Sequence, residues 1–175
     1  MIPGRTLKIT IAWGFLVCPV GLGQTVGTSY RPGTDFSKYH SYKWVTVKGG
    51  QHGNPSLDAQ IRQSFDAQLA AKSLKKTDGD ADLNIEYQVA ISKAEVWQTY
   101  EDWTITGIIE SRLPQRRLLT IDVGTLALDM YDSAAKQLVW TGRADNVIDP
   151  KSSESERKKT VDKAAQKLLK EYPPK

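Results

Sequence analysis

The segment "VWQTYEDW" holds the residues best suited to chemistry in this chain. Trp97, Tyr100 and Trp103 stand three apart, with Glu101 and Asp102 between the last two. Aromatic faces beside carboxylates stack on sugars and peptides and attract cationic groups. On a strand, Trp97 and Trp103 would face one way and Tyr100 the other. Trp97, Tyr100, Trp103 and Glu101 are therefore the candidate ligand-binding residues. The competing reading is that the rings cover a sheet or pack beneath a loop, since large aromatics are mostly buried.

Other constellations are weaker. The two histidines, His40 and His52, fall in a strand and in a Gly-rich loop. A metal centre needs several N, O or S ligands with a supporting shell, so no metal and no cofactor is expected. Asp78, Asp80 and Asp82 alternate as at the start of a calcium loop. Leu83 then replaces the sharp-turn Gly and Val89 the bidentate Glu, which leaves a polar loop whose Asp82 bonds backbone N–H groups. There is no Gly-x-Ser-x-Gly elbow and no phosphate-cradling Gly loop. Asp129, Asp132 and Glu101 could be offered as a hydrolytic carboxylate pair, but nothing in their spacing singles them out. No catalytic residue is assigned.

The first residues, "MIPGRTLKITIAWGFLVCPVGLGQ", run from basic Arg5 and Lys8 through an apolar stretch to small Gly21 and Gly23. That order is a secretory signal peptide, 1–23, with Gln24 as the first mature residue. The alternative is lipid attachment at Cys18, the lone cysteine, but Val17 and Pro19 flank it poorly. Either route leaves no free thiol, so disulfide and thiolate-metal chemistry fall away. Losing Arg5 and Lys8 lowers the formal net charge from +4 to +2. No Lys/Arg cluster reads as a nucleic-acid surface; "LPQRRLL" and "SERKKT" are solvated faces.

The elements that would position these residues follow from periodicity. Residues 24–34 ("QTVGTSYRPGT") read as a flexible tether, and 35–175 as one domain. A turn at Asp35–Lys38 precedes a strand in which Tyr42 and Trp44 share a face. Asn54 caps a helix opened by Pro55, and Leu57, Ile61, Phe65 and Leu69 form its buried stripe. Leu83, Ile85, Tyr87 and Val89 alternate on the next strand. Residues 97–117 could extend that strand, form an arm or carry a hairpin.

Two antiparallel strands then flank a turn at Asp132–Lys136. In the first, the apolar phase slips between Leu119, Ile121, Val123 and Leu126, Leu128, Met130, which predicts a bulge or bend at Gly124. In the second, Leu138 and Trp140 are expected to share a face. Ser153 and Glu156 have capping-box spacing, and Val161, Ala164, Ala165, Leu168 and Tyr172 form the stripe of a last helix stopped by Pro173-Pro174. The order gives an α+β two-layer sandwich, a mainly antiparallel sheet with two helices packed on one face. The other face is partly wet.

"DFSKYHSYKW", "ADLNIEY" and "GTLALDMYDSAAKQLVWTGRA", followed by a helix ending in Tyr-Pro-Pro, resemble in order the blocks of the domain-of-unknown-function family 4136 of bacterial exported proteins and lipoproteins. The resemblance covers Asp35 to Pro174. The family tends to place Gly where this chain has Ser73 and in the turn at Ala135-Lys136. If either position takes a positive φ, a side chain there costs about 1 kcal/mol. The family carries no activity or catalytic residues to transfer. The expected function is a non-catalytic cell-envelope module, periplasmic or lipoprotein-like, that binds an envelope protein or a wall component; the alternative is an envelope hydrolase of wall material. Outer-membrane association is expected only if Cys18 is lipidated.

Overall fold

The computed structural model describes residues 24–46, 52, 54–106 and 109–174, with side chains outside the description at 101–113. Residues 1–23, with Cys18 and the leader, lie outside it. The chain runs β1 (Thr25–Tyr30), a 3-10 turn (Phe36–Lys38), β2 (Ser41–Trp44), α1 (Pro55–Ala71), β3 (Lys75–Lys76), β4 (Leu83–Thr106), β5 (Ile109–Asp132), β6 (Gln137–Val147) and α2 (Glu154–Lys170). The six strands form one sheet, ordered β1-β6-β5-β4-β2-β3. β2 is parallel to β3 and β4, and the other pairings are antiparallel. With both helices on one face, this is the expected α+β two-layer arrangement.

The core follows the periodicities. Ile61, Phe65 and Leu69 of α1 and Ala165, Leu168 and Leu169 of α2 are buried. They meet the sheet face made by Tyr42, Leu83, Ile85, Tyr87, Leu128, Met130 and Trp140. Asn54 Oδ1 accepts the Leu57 N–H at 2.9 Å, with Pro55 opening α1. Ser153 and Glu156 close a reciprocal capping box on α2, which satisfies two of its orphan N–H groups. Trp140 packs edge-on against Tyr172 with ring centroids 5.6 Å apart. Gly142 makes room for that indole, because a Cβ there would lie 2.5 Å from Trp140 Cη2.

Three expectations are corrected. Residues 25–30, read as part of a tether, are strand β1, paired antiparallel with β6 from Thr25–Asp145 to Tyr30–Trp140. Gly124 is not a bulge: it pairs in unbroken register with Ile91 on β4 and Asn146 on β6. Its lack of a side chain instead accommodates Ile148, whose Cδ1 would be 3.0 Å from a Cβ there. The register shift lies at Met130/Tyr131, where Trp140 and Leu138 are the successive partners and Val139 is the extra residue. Leu138 and Trp140 therefore take opposite faces: Trp140 is buried and Leu138 is exposed.

The undecided stretch at 97–117 is resolved as an extension and a hairpin at once. β4 and β5 pair continuously from Leu83–Asp132 to Thr106–Ile109. β6 stops at Val147, opposite Val123, and β2 stops opposite Ile85. Beyond them, from Lys93–Asp122 outward, β4 and β5 run on as a two-stranded arm. At about 3.4 Å per residue it is about 45 Å long.

Candidate functional site

The arm is where the candidate residues lie. In an antiparallel ladder, directly opposed residues share a face. Trp97 is paired with Leu118, and both are exposed, at 69% and 47%. Ile91, on the same face nearer the body, is 74% exposed. The helix layer that buries Val89 and Leu126 has ended by this point, so that face of the ribbon has no cover from α1 or α2.

Tyr100 takes the opposite face, as its odd spacing from Trp97 requires. The Arg117 guanidinium lies 5.4 Å from its ring centroid and donates to Gln98 Oε1 at 2.9 and 2.7 Å. On this face, inward of Tyr100, half-buried Leu119 and Ile121 stand opposite Val96 and Ala94. The phase slip seen in the sequence is this change of apolar side, made without any break in the ladder. Glu101 and Trp103 belong to the positions whose side chains lie outside the description; on the backbone they pair with Pro114 and Arg112.

The structure thus joins Trp97 to Leu118 and Ile91, and Tyr100 to Arg117 and Gln98. Leu118, Ile91 and Arg117 were not singled out from the sequence. Ile91 follows from alternation along β4, six residues from Trp97, whereas the only signal for Leu118 and Arg117 is cross-strand register, which depends on where the hairpin turns.

Several carboxylates elsewhere are committed to structure. Asp132 is buried and accepts from the Ala134 and Ala135 N–H groups at 3.0 and 2.9 Å, from Lys38 Nζ at 2.7 Å and from Tyr39 Oη at 2.9 Å. The Ala135 N–H above all, then Lys38 and Tyr39, hold it well below the usual carboxylate range. Asp82 accepts from the His40 and Ser41 N–H groups at 2.8 and 2.9 Å, with the His40 N–H the main cause of its lowered pKa. That is the backbone-bonding polar loop expected of this residue.

Asp66 receives Tyr42 Oη at 2.7 Å, Trp44 Nε1 at 2.8 Å and Lys76 Nζ at 2.9 Å. Asp58 receives Tyr87 Oη and, at 2.9 and 3.1 Å, Arg62 Nε. Burial pushes the Asp58 pKa up, but Tyr87 and Arg62 outweigh it and the net shift is downward. Arg62 also lies over Trp44, 5.0 Å from its ring centroid, so this edge of the core is a closed polar-aromatic network. Asp129 accepts from Thr141 Oγ1 at 2.5 Å across the β5–β6 ladder.

His40 is exposed, and the His52 ring stands edge-on to Tyr87, 5.1 Å between centroids. Among the described residues, no group of His, Cys, Asp and Glu could hold a metal ion. Among them too, no helix is long and apolar enough to cross a membrane.

Comparison with known proteins agrees with the fold. The chain is similar to a PDZ domain protein from Parabacteroides distasonis, with a TM-score of 0.58 at 13% identity, covering 87% of this chain but only 36% of that one. It is also similar to the PelC dodecamer from Paraburkholderia phytofirmans, with a TM-score of 0.51 at 12% identity, covering 84% of this chain and 95% of that one. No curated protein matches the chain. The model of one family, described as a domain of unknown function (DUF4136), matches residues 26–174, nearly the whole chain. That match over nearly the whole chain establishes that the chain belongs to the DUF4136 family.

Proposed function

We propose that this protein is a non-catalytic binding module of the bacterial cell envelope, and that its β4–β5 arm is the contact surface. One observation carries the reading: the arm projects past the sheet with Trp97 and Leu118 uncovered, and Ile91 is exposed on the same face at its base. A two-stranded ribbon is marginally stable in water by itself. A chain that keeps one and loads it with exposed apolar side chains presents it to something. The order of basic, apolar and small residues before Gln24 supports export. The structural hydrogen bonds that Asp58, Asp66 and Asp132 already accept favour binding over hydrolysis, because a catalytic carboxylate must be placed to exchange a proton with its substrate.

The test is capture from envelope fractions by the purified chain and by a Trp97→Ser/Leu118→Ser variant, with mass spectrometry of what is retained. Capture that the variant loses supports the reading; equal capture by both overturns it. Intact-mass analysis of the protein from its own cell tests export: a chain beginning at Gln24 supports a soluble envelope protein, and a diacylated or triacylated Cys18 a tethered one. A mass retaining Met1 would contradict both.

A further inference from the structure

The two edges of the arm differ. β5 carries Pro114, Arg112, Arg116 and Arg117. Proline and positive charge are the devices that guard an edge against further pairing. β4 carries no proline, and its Val96–Tyr100 run is rich in strand formers. β2 covers β4 only at its inner end, where the last contacts are the Trp44–Ile85 pair and the Val45 N–H on the Ile85 carbonyl at 2.9 Å. Among the described residues, no strand pairs with β4 on that side from Gln88 to Thr106. Such a row of open N–H and C=O groups is a template for another strand.

The geometry points to a second copy of this chain as that strand, added antiparallel along the β4 edge about a two-fold axis at Trp97. The occupant follows from the edge itself. Among the described residues, β4 is uncovered on this side beyond its β2 contacts as far as Thr106, and an axis at residue 97 lets two copies pair over the whole of 88–106. An antiparallel pair of identical strands requires an axis normal to the sheet, and every opposed pair then shares a face.

In this register, Lys93 of each copy stands opposite Glu101 of the other and Trp97 opposite its counterpart. Exposed Ile91 meets position 103, a tryptophan, and Val89 meets position 105, an isoleucine. No like charges are opposed. An axis at 95 would instead set Glu95 against Glu95, and one at 98 would set Glu95 against Glu101. Opposite charges and apolar pairs directly across a ladder stabilise it, and like charges destabilise it. The assembly joins two marginal ribbons into a four-stranded sheet, β5-β4-β4-β5, and leaves both faces of that sheet free.

This inference rests on the reading of the arm as a contact surface, but its failure is separately visible. In the full chain carrying Cys18→Ser, Trp97→Cys places two thiols on the axis. Opposed Cα atoms there are about 4.5–5.5 Å apart, within disulfide reach. Mild oxidation is expected to trap a covalent dimer, while Ile91→Cys, six residues from the axis, stays uncrosslinked on the same denaturing gel.

Sedimentation equilibrium of the unmodified chain should show a dimer that Lys93→Glu weakens about tenfold, because two favourable pairs become like-charge pairs. Lys93→Glu with Glu101→Lys should restore it. A monomeric unmodified chain at its highest soluble concentration, a dimer indifferent to Lys93→Glu, or equal crosslinking at 91 and 97 would each overturn the proposal. If the Lys93→Glu monomer still captured envelope material, the binding-module reading would stand without the dimer.

Discussion

Two residues sit in backbone conformations that favour glycine, and replacing them should stabilise the protein. Ser73 has φ 65° and Lys136 has φ 53°. Ser73 follows the end of α1 in a Schellman motif: its N–H donates to the Ala70 carbonyl at 2.9 Å, and the Leu74 N–H donates to the Leu69 carbonyl at 3.1 Å. Leu74 is buried, so the motif also fixes a core side chain. Lys136 ends the β5–β6 turn, with its N–H on the Asp132 carbonyl at 2.8 Å.

A left-handed conformation costs a non-glycine residue about 1–2 kcal/mol. Glycine would relieve that and lose about 0.4–1 kcal/mol through the greater freedom of the unfolded chain. The net gain is about 0.8 kcal/mol per site. The two sites share no element, so Ser73→Gly with Lys136→Gly should add about 1.5 kcal/mol. For a domain of this size that raises Tm by about 3–6 °C. Thermal unfolding of both single variants, the double variant and Ser73→Ala checks it. The reasoning fails if the glycine variants melt at or below the unmodified chain. It also fails if Ser73→Ala gains as much as Ser73→Gly, since alanine keeps the strain.

Further outcomes follow from the same geometry. Asp132→Ala leaves the Tyr39 hydroxyl and the Ala134 and Ala135 N–H groups without their acceptor, and should cost about 3 kcal/mol in urea unfolding. Asp58, Asp82 and Asp132 all have folded pKa values below their ordinary ones. The unfolded chain therefore binds protons first. Their contribution is fully present above about pH 4 and is lost as pH falls toward their folded values, so Tm should drop below about pH 4, and less steeply in Asp132→Asn. Gly142→Ala drives a methyl into Trp140 and Leu168, with Leu168 Cδ2 at 2.9 Å, and should cost about 2–3 kcal/mol in thermal unfolding. Gly124→Ala meets only the flexible end of Ile148 among side chains and should cost clearly less.

Much of the body was legible because its signals are local. The four-residue recurrence from Leu57 to Leu69, the Asn54-Pro55 start and the Ser153–Glu156 box each specify a helix without reference to the rest of the chain. The glycine departures at Ser73 and Lys136 likewise marked positions that do take positive φ. Three features depend on partners far away in sequence. β1 has little apolar content and forms because β6, more than a hundred residues later, supplies its hydrogen bonds. The extra residue at Val139 has no compositional mark. The phase slip near Gly124 was visible, but the pattern alone could not tell a bulge from a strand outrunning its helix layer. The candidate site was half legible: exposed aromatics were found at Trp97 and Tyr100, while their companions Leu118 and Arg117 came only with register.

The most direct measurement is a paired one on the Trp97→Ser/Leu118→Ser chain: retention of envelope material and Tm, side by side with the unmodified protein. Both side chains are largely exposed, so a contact arm predicts lost retention with Tm unchanged within about 1–2 °C, the effect of surface substitutions of up to about 0.5 kcal/mol. Retention equal to that of the unmodified chain would contradict the contact role, and a large fall in Tm would show that the arm serves the fold.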